Sequence, residues 1–361
     1  MSSNEDATVI TGLGAHSSLG GAVRAAASFR CGLSRAHELP DWPYFDEETH
    51  AEQRLKGNPA MGIAPGFQGA ARLLKIGACA LDDLQRSSSL TEVNVSKLGL
   101  FIALPAAAAR RIKEPASFVS KLCQLGRVQV DSQNIRTYVE GRVGAATAIQ
   151  DARAMLQNGR LDHCVIGALD SLLGSEQMAE FIATRRIKTT DNPVGLIPGE
   201  GAGFILLERS HGAKRRGAAV EATLHQPSRI SSPEERGVDQ APPGKSLGEV
   251  MLQALNSAGA SAAAAGTFYS DLNGSTVRAV ELGNAMVRLS SVHPLGSWKR
   301  RFPAESFGDT GTASGVLAIC LAVRAFARGY ALGEQALVVM SSERGSKAAI
   351  GLGRSDHGAS I

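Results

Sequence analysis

The stretch Gly315–Ala327 is apolar around nearly its whole circumference when read at helical period. A helix of that kind belongs in a fully enclosed layer, as where helices lie sandwiched between two sheets. The rest of the chain is patterned to supply such sheets. Apolar runs of strand length alternate with longer segments of helical period, which argues an α/β class. Strands are expected over Thr8–Thr11, Leu98–Ala103, His163–Ala168 and Gly203–Leu207. Between the second and third, Ala145, Ala148, Ile149, Ala152, Met155 and Leu156 recur every three or four positions, predicting a helix over Ala145–Gln157 with Gly159 as its C-terminal cap. After Arg209 the order restarts. Val220–Leu224 reads as a strand, Leu247–Ala258 as a helix, Thr267–Leu272 as a strand and Val280–Leu289 as a helix. The enclosed helix follows, then strands Ala336–Met340 and Ala348–Leu352.

At 361 residues and 43% hydrophobic the chain can bury a large core. Forty glycines and 5% aromatics predict tight turns and close helix–sheet approaches. The formal charge of +4 tolerates an acidic partner, but no Lys/Arg block is dense enough to argue for nucleic acid. Cys31, Cys79, Cys123, Cys164 and Cys320 are odd in number and scattered, which argues against structural disulfides, against a zinc site and for a reducing compartment. No cofactor site is expected. Met1–Ala7 lacks the layout of a signal peptide, and Val316–Ala327 is too short to span a bilayer. A soluble, cytoplasmic protein without membrane contact is the expectation. Loops are expected over Leu39–Gly69, Ser87–Ser89 and Gln226–Ser246, with a frayed tail after Gly353.

Three motifs are best read plainly. Gly12-Leu13-Gly14 follows a strand, but the third glycine of a dinucleotide fingerprint would fall at Ser17. Gly199–Gly203 reads as a tight turn leading into a buried strand, with Glu200 serving turn geometry rather than acting as a base. His163 and Cys164, adjacent in a strand, point to opposite faces and cannot act as a dyad.

Val9-Ile10-Thr11-Gly12-Leu13-Gly14, Gly159-Arg160-Leu161-Asp162 before Val165-Ile166-Gly167-Ala168-Leu169-Asp170, and Gly199-Glu200-Gly201-Ala202-Gly203 before Phe204-Ile205-Leu206-Leu207-Glu208 stand in a telling order. In order and spacing they resemble the β-ketoacyl-acyl carrier protein synthases of the thiolase superfamily, over most of the chain. The resemblance implies a thiolase-like fold: two pseudo-repeated α/β halves, 1–210 and 211–361, in a five-layer αβαβα sandwich.

It also implies an active site, and that site is altered. Such an enzyme places a cysteine at a helix N-terminus, where the dipole lowers the thiol pKa and helps hold an oxyanion. Counting back along the helix that ends at Gly159 puts Arg142 there, and arginine cannot attack a thioester. The first family histidine opens a His-Gly-Thr turn; here Asp271-Leu272-Asn273-Gly274-Ser275-Thr276 sets Asn273 in its place, which can donate to an oxyanion but cannot shuttle a proton. The second sits in a Gly-His pair before the apolar helix, where this chain reads Gly308-Asp309. The family's C-terminal glycine turn is altered to Ser342-Glu343-Arg344-Gly345-Ser346. A buried ion-pair cluster of Glu140, Arg142 and Asp309 filling the vacated pocket is as good a reading as any new catalytic use.

The leading expectation is a non-condensing partner or scaffold that resembles chain-length factors or the thiolase-like proteins associated with type VI secretion. A second keeps it an enzyme, an acyltransferase or decarboxylase built on Asn273, Ser275, Asp309 and Thr310. A third is an interaction module whose loops Leu39–Gly69 and Gln226–Ser246 carry the contacts. Expected partners are a second copy or a ketosynthase-like chain, with an acyl carrier protein or secretion effector as further candidates. The resemblance places dimer pairing on strand His163–Ala168.

Overall fold

The computed structural model describes residues 7–46, 49–64, 66–88, 90, 93–106, 112, 114–231, 243–261, 263–342 and 345–355. Its strands are β1 (Thr8–Ser17), β2 (His37–Asp46), β3 (Ala51–Gly57), β4 (Leu98–Ala103), β5 (Ile135–Tyr138), β6 (His163–Ser171) and β7 (Glu200–Arg209), then β8 (Ala222–Leu224), β9 (Ser228–Ile230), β10 (Gly266–Ser270), β11 (Lys299–Arg301), β12 (Gln335–Ser341) and β13 (Lys347–Arg354). The helices that build the layers are α1 (Ala22–Arg30), α2 (Gly69–Ser87), α3 (Pro115–Gly126), α4 (Gly144–Gln157), α5 (Ser175–Ala183), α6 (Lys245–Ser257), α7 (Thr276–Ser290) and α8 (Ser314–Ala327).

Strand order shows the repeat expected from the sequence. From one end it runs β5-β4-β6-β7-β1, then β8-β13-β12-β10-β11, with β9 beside β13. In the first half β1 and β7 are antiparallel, as are β7 and β6, while β4 lies parallel to both β6 and β5. The second half repeats this. β8 and β13 are antiparallel, as are β13 and β12, and β10 lies parallel to both β12 and β11. The halves touch through β1 and β8, at Val9 opposite Thr223 and Ile10 opposite Ala222.

Side-chain alternation along the strands makes the layers. Leu100 and Ile102 of β4, Val165 of β6 and Phe204 of β7 pack against α2 and α3 on one outer face. Phe101, Ile166 and Ile205 point the other way into a central core with α4, α8 and the inner faces of β12 and β13. Phe268, Leu337 and Val339 meet α6 and α7 on the second outer face. The result is αβαβα. Every residue from Ser314 to Val323 is buried, as an all-apolar helix requires. Gly159 takes φ +71° just past α4, the left-handed turn expected of its cap. Gly14 exists for close approach rather than ligand binding, since a Cβ there would collide with the Ala80 carbonyl of α2.

Several expectations are corrected. The span Leu39–Gly69 holds most of the β2–β3 hairpin; Leu39 and Leu55 alternate inward onto Met178 and Phe181 of α5, which stabilises a segment whose prolines and charges read as loop. Ser87 closes α2, while Ser89 lies outside the described residues. Gly199–Gly203 is not a turn, because β7 starts at Glu200 and pairs with β1 and β6 along that run. Part of Gln226–Ser246 forms β9 and the start of α6, and residues 232–242 lie outside the described residues. β13 continues to Arg354, and residues 356–361 again lie outside, as do Glu343 and Arg344. Most consequential, β6 is interior to the sheet, with β4 on one side and β7 on the other, so His163–Ala168 has no edge left for pairing with another chain.

Candidate active site

Three chain turns meet at the N-terminal ends of α4 and α8. The first leaves β5 and passes Gly141, whose φ of +60° admits the bend, into a 3-10 turn over Gly141–Val143 that carries Arg142. The second leaves β10 through Asp271, Leu272 and Asn273, with Gly274 at φ +100° before α7. The third passes Gly308 at φ +67°, Asp309 and Gly311 at φ +55° before a second 3-10 turn and α8. Arg142, Asn273 and Asp309, far apart in sequence, are brought together.

Arg142 Nη2 donates to both oxygens of Asp309, at 2.7 and 2.5 Å. Asn273 Nδ2 donates to Asp309 Oδ2 at 2.6 Å, and the Gly311 N–H to Oδ1 at 2.9 Å. Arg142 Nη1 reaches Ser314 Oγ at 3.4 Å and lies 3.9 Å from Asp271 Oδ2. Asp271 in turn accepts from Arg278 Nη2 at 2.8 Å and from the Ser341 N–H at 3.0 Å. Two guanidiniums and two carboxylates thus alternate in one cluster, with Arg142 8% and Asp309 2% exposed. Burial alone would push the Asp309 carboxyl up, but the charge and hydrogen bonds of Arg142, the charge of Arg278 and the Asn273 amide hold it below the usual carboxylate range.

Glu140 does not join the cluster. Its carboxylate accepts from Thr147 Oγ1 at 2.8 Å and pairs with Arg229 at 3.4 Å, because the Gly141 turn sends neighbouring side chains in different directions. Thr310 lies beside the site, its hydroxyl 3.2 Å from Ser314 Oγ. Ser275 is used locally, its N–H donating to Asn273 Oδ1 at 3.2 Å. Glu200 is fully buried and binds the Ala60 N–H, Arg72 and Ser171, tying α2 to β6 and β7. Sequence reasoning missed Asp271 and Arg278 as members of the cluster. Their signal was available: an aspartate two residues before Asn273 and an arginine one turn into the helix that follows.

The chemistry open to this arrangement is narrow. Burial drives the Cys164 and Cys320 thiols up, and puts Cys123 at about 11, so none is a ready thiolate. One Asn273 amide N–H is committed to Asp309 rather than aimed at a ligand. The cavity beside Asp271, Asp309 and Ser314 measures about 10 Å³, room for about one water. Among the described residues no group of three or more His, Cys, Asp or Glu side chains is arranged to hold a metal. No helix among them is long and apolar enough to cross a membrane.

No protein-family profile matches the chain. Over 92 residues it is 35% identical to the mitochondrial 3-oxoacyl-[acyl-carrier-protein] synthase of Arabidopsis thaliana, a match covering 22% of this chain and 20% of that protein. Solved structures align over nearly all of it. A chain of a type II polyketide synthase acyl-carrier protein in complex with its ketosynthase superposes with TM-score 0.80 at 14% identity, covering 97% of this chain and all of that one. The ishigamide ketosynthase/chain length factor gives 0.79 at 17%, with coverage of 97% and 100%. The oxazolomycin ketosynthase domain of Streptomyces albus gives 0.76 at 18%, covering 98% of this chain and 74% of that one. The chain has the thiolase-like fold of the ketosynthases and their chain-length factors.

Proposed function

We propose that this protein is a non-condensing ketosynthase-fold subunit, a partner or scaffold rather than a catalyst of carbon–carbon bond formation. Arg142 takes the place of the nucleophilic cysteine, and Asn273 and Asp309 take the places of the two histidines. The observation that carries the reading is the bidentate Arg142–Asp309 contact braced by Asn273. A cation and its counter-ion bonded to each other support the reading, because a condensing site needs a thiolate and two imidazoles standing apart. The resemblance to a ketosynthase/chain length factor structure favours a chain-length-factor-like role in fatty acid or polyketide synthesis. A type VI secretion accessory is the other setting. The division at 210/211, where the strand order restarts, is proposed as the boundary of the two halves.

The partner is a second copy or a ketosynthase-like chain. With β6 interior, the edge that remains in the first half is β5, Ile135–Tyr138, which continues the sheet if a partner strand is added. An acyl carrier protein is the next candidate, by likeness to a structure in which one binds its ketosynthase. The acyltransferase reading on Asn273, Ser275, Asp309 and Thr310 has less support, because these groups are bonded to one another.

The test is incubation with radiolabelled acyl and malonyl carrier protein. Neither covalent label nor condensation product should form; either one would overturn the proposal.

A further inference from the structure

The sheet ends in the second half at β11, which is Lys299-Arg300-Arg301 and pairs with β10 on one side. Lys299 stands opposite Thr267 and Arg301 opposite Tyr269, so both face the central layer. There they meet Arg30 from the end of α1 and Tyr330, around a cavity of about 10 Å³. The Arg30 guanidinium lies 4.6 Å from the Tyr330 ring centroid, and that of Arg301 lies 5.8 Å from the Phe29 ring. Nearby Arg324 has a carboxylate, Glu221, at 3.9 Å. Arg30, Lys299, Arg300 and Arg301 have none at ion-pair distance among the described residues. Arg30, Lys299 and Arg301 are thus three cations around one cavity, while Arg300, opposite Phe268, lies on the other face of the same edge strand.

Like charges held together without counter-ions repel, and an anionic partner relieves that repulsion. The cavity has room for about one water, so contact with a partner falls to the exposed Arg30 and Lys299 beside it. The outer side of β11 offers backbone N–H and C=O groups to an extended chain. Charged residues on a short edge strand also discourage pairing with a second, equally basic copy. We propose that the β11 edge, with Arg30, Lys299, Arg300 and Arg301, docks an acidic extended segment of a partner protein. The proposal rests on the reading of this chain as a partner-binding subunit and names the chemistry of one contact.

Fluorescence anisotropy with a short Glu-rich labelled peptide tests it, with Lys-rich and neutral peptides alongside. The Glu-rich peptide should bind, weaken as salt is raised, and lose about tenfold in affinity in R300E/R301E. The Lys-rich peptide should bind that variant more tightly than the wild type. If R300E/R301E melts early, R30Q/K299Q replaces it and should show a smaller loss in the same direction. Unchanged binding in a folded variant would overturn the proposal. So would tighter binding of a single-stranded oligonucleotide or of phosphatidylserine vesicles than of the acidic peptide. The carrier-protein labelling assay reads independently of this patch, so condensing activity with peptide binding intact would sink only the proposed function.

Discussion

Helices α4 and α8 occupy matching places in the two halves, and each is entered in the same way. A glycine at positive φ (Gly141 at +60°, Gly311 at +55°) is followed by a 3-10 turn and then the helix. At α8 the entry is finished with carboxylates. Asp309 accepts the Gly311 N–H at 2.9 Å, and Asp170 accepts both the N–H and the hydroxyl of Thr312 at 2.9 Å. That agrees with the positive end of a helix dipole and its orphan N–H groups. At α4 the matching turn carries a cation, Arg142, which opposes the dipole by roughly 0.3–1 kcal/mol in an exposed setting. Asp309 resolves the conflict, since one carboxylate serves the start of α8 and neutralises the start of α4. A local rule broken at the start of α4 is thus compensated by a residue from the start of α8.

The largest effects should come from separating that pair. Arg142→Met leaves Asp309 buried without its main counter-ion, and Asp309→Leu strands Arg142; each should cost about 3–5 kcal/mol in urea unfolding. The double variant R142M/D309L should recover most of that loss, giving a coupling energy of several kcal/mol rather than additivity. Additive losses would mean that the two helix starts are independent and the comparison is wrong.

Asp170→Ala acts on the α8 side. It removes the acceptor for Thr312 and for the Ser171 N–H, and should cost about 1–3 kcal/mol, with a smaller coupling to Arg142→Met than Asp309→Leu shows. The dependence on acid sharpens the same contrast. Asp309 has a depressed pKa, so its contribution is fully present above the unfolded carboxyl value of about 3.9 and is lost as pH falls through the folded value. Glu208, held at about 2 by Arg216, His163 and Thr11 against the upward push of burial, adds to the same acid limb. Melting curves from pH 6 downward should therefore fall more steeply for the wild type than for D309N, which has no such carboxylate to protonate. Equal slopes would remove Asp309 from the acid limb. The smallest effect belongs to the exposed Arg86–Asp82 pair on α2, where Arg86→Ala should shift stability by no more than about 0.5 kcal/mol.

The central helices and the repeat were legible, because burial marks α4 at every third or fourth residue and α8 around nearly its whole circumference. The β2–β3 hairpin was not legible, since its stability comes from Leu39 and Leu55 reaching α5, far along the chain. The dimer edge was misplaced for a related reason: an apolar strand such as β6 looks the same whether another chain or β4 and β7 cover it. At the site, Asn273 and Asp309 were found from their adjoining glycines, and Arg142 by counting back along the helix that ends at Gly159. Asp271 and Arg278 were missed although both flank Asn273 in sequence, because only the fold shows that the guanidinium, seven residues on, turns back to the carboxylate. Glu140 was wrongly included because sequence adjacency to Arg142 says nothing about direction across a turn at Gly141.

The central claim is that the pocket is filled from within by the Arg142–Asp309 pair. Crystals soaked with an acyl-pantetheine analogue test it most directly. The pair should remain bonded, with no ligand density within reach of Arg142. Density for an acyl chain running to Arg142, with the contact to Asp309 broken, would contradict it.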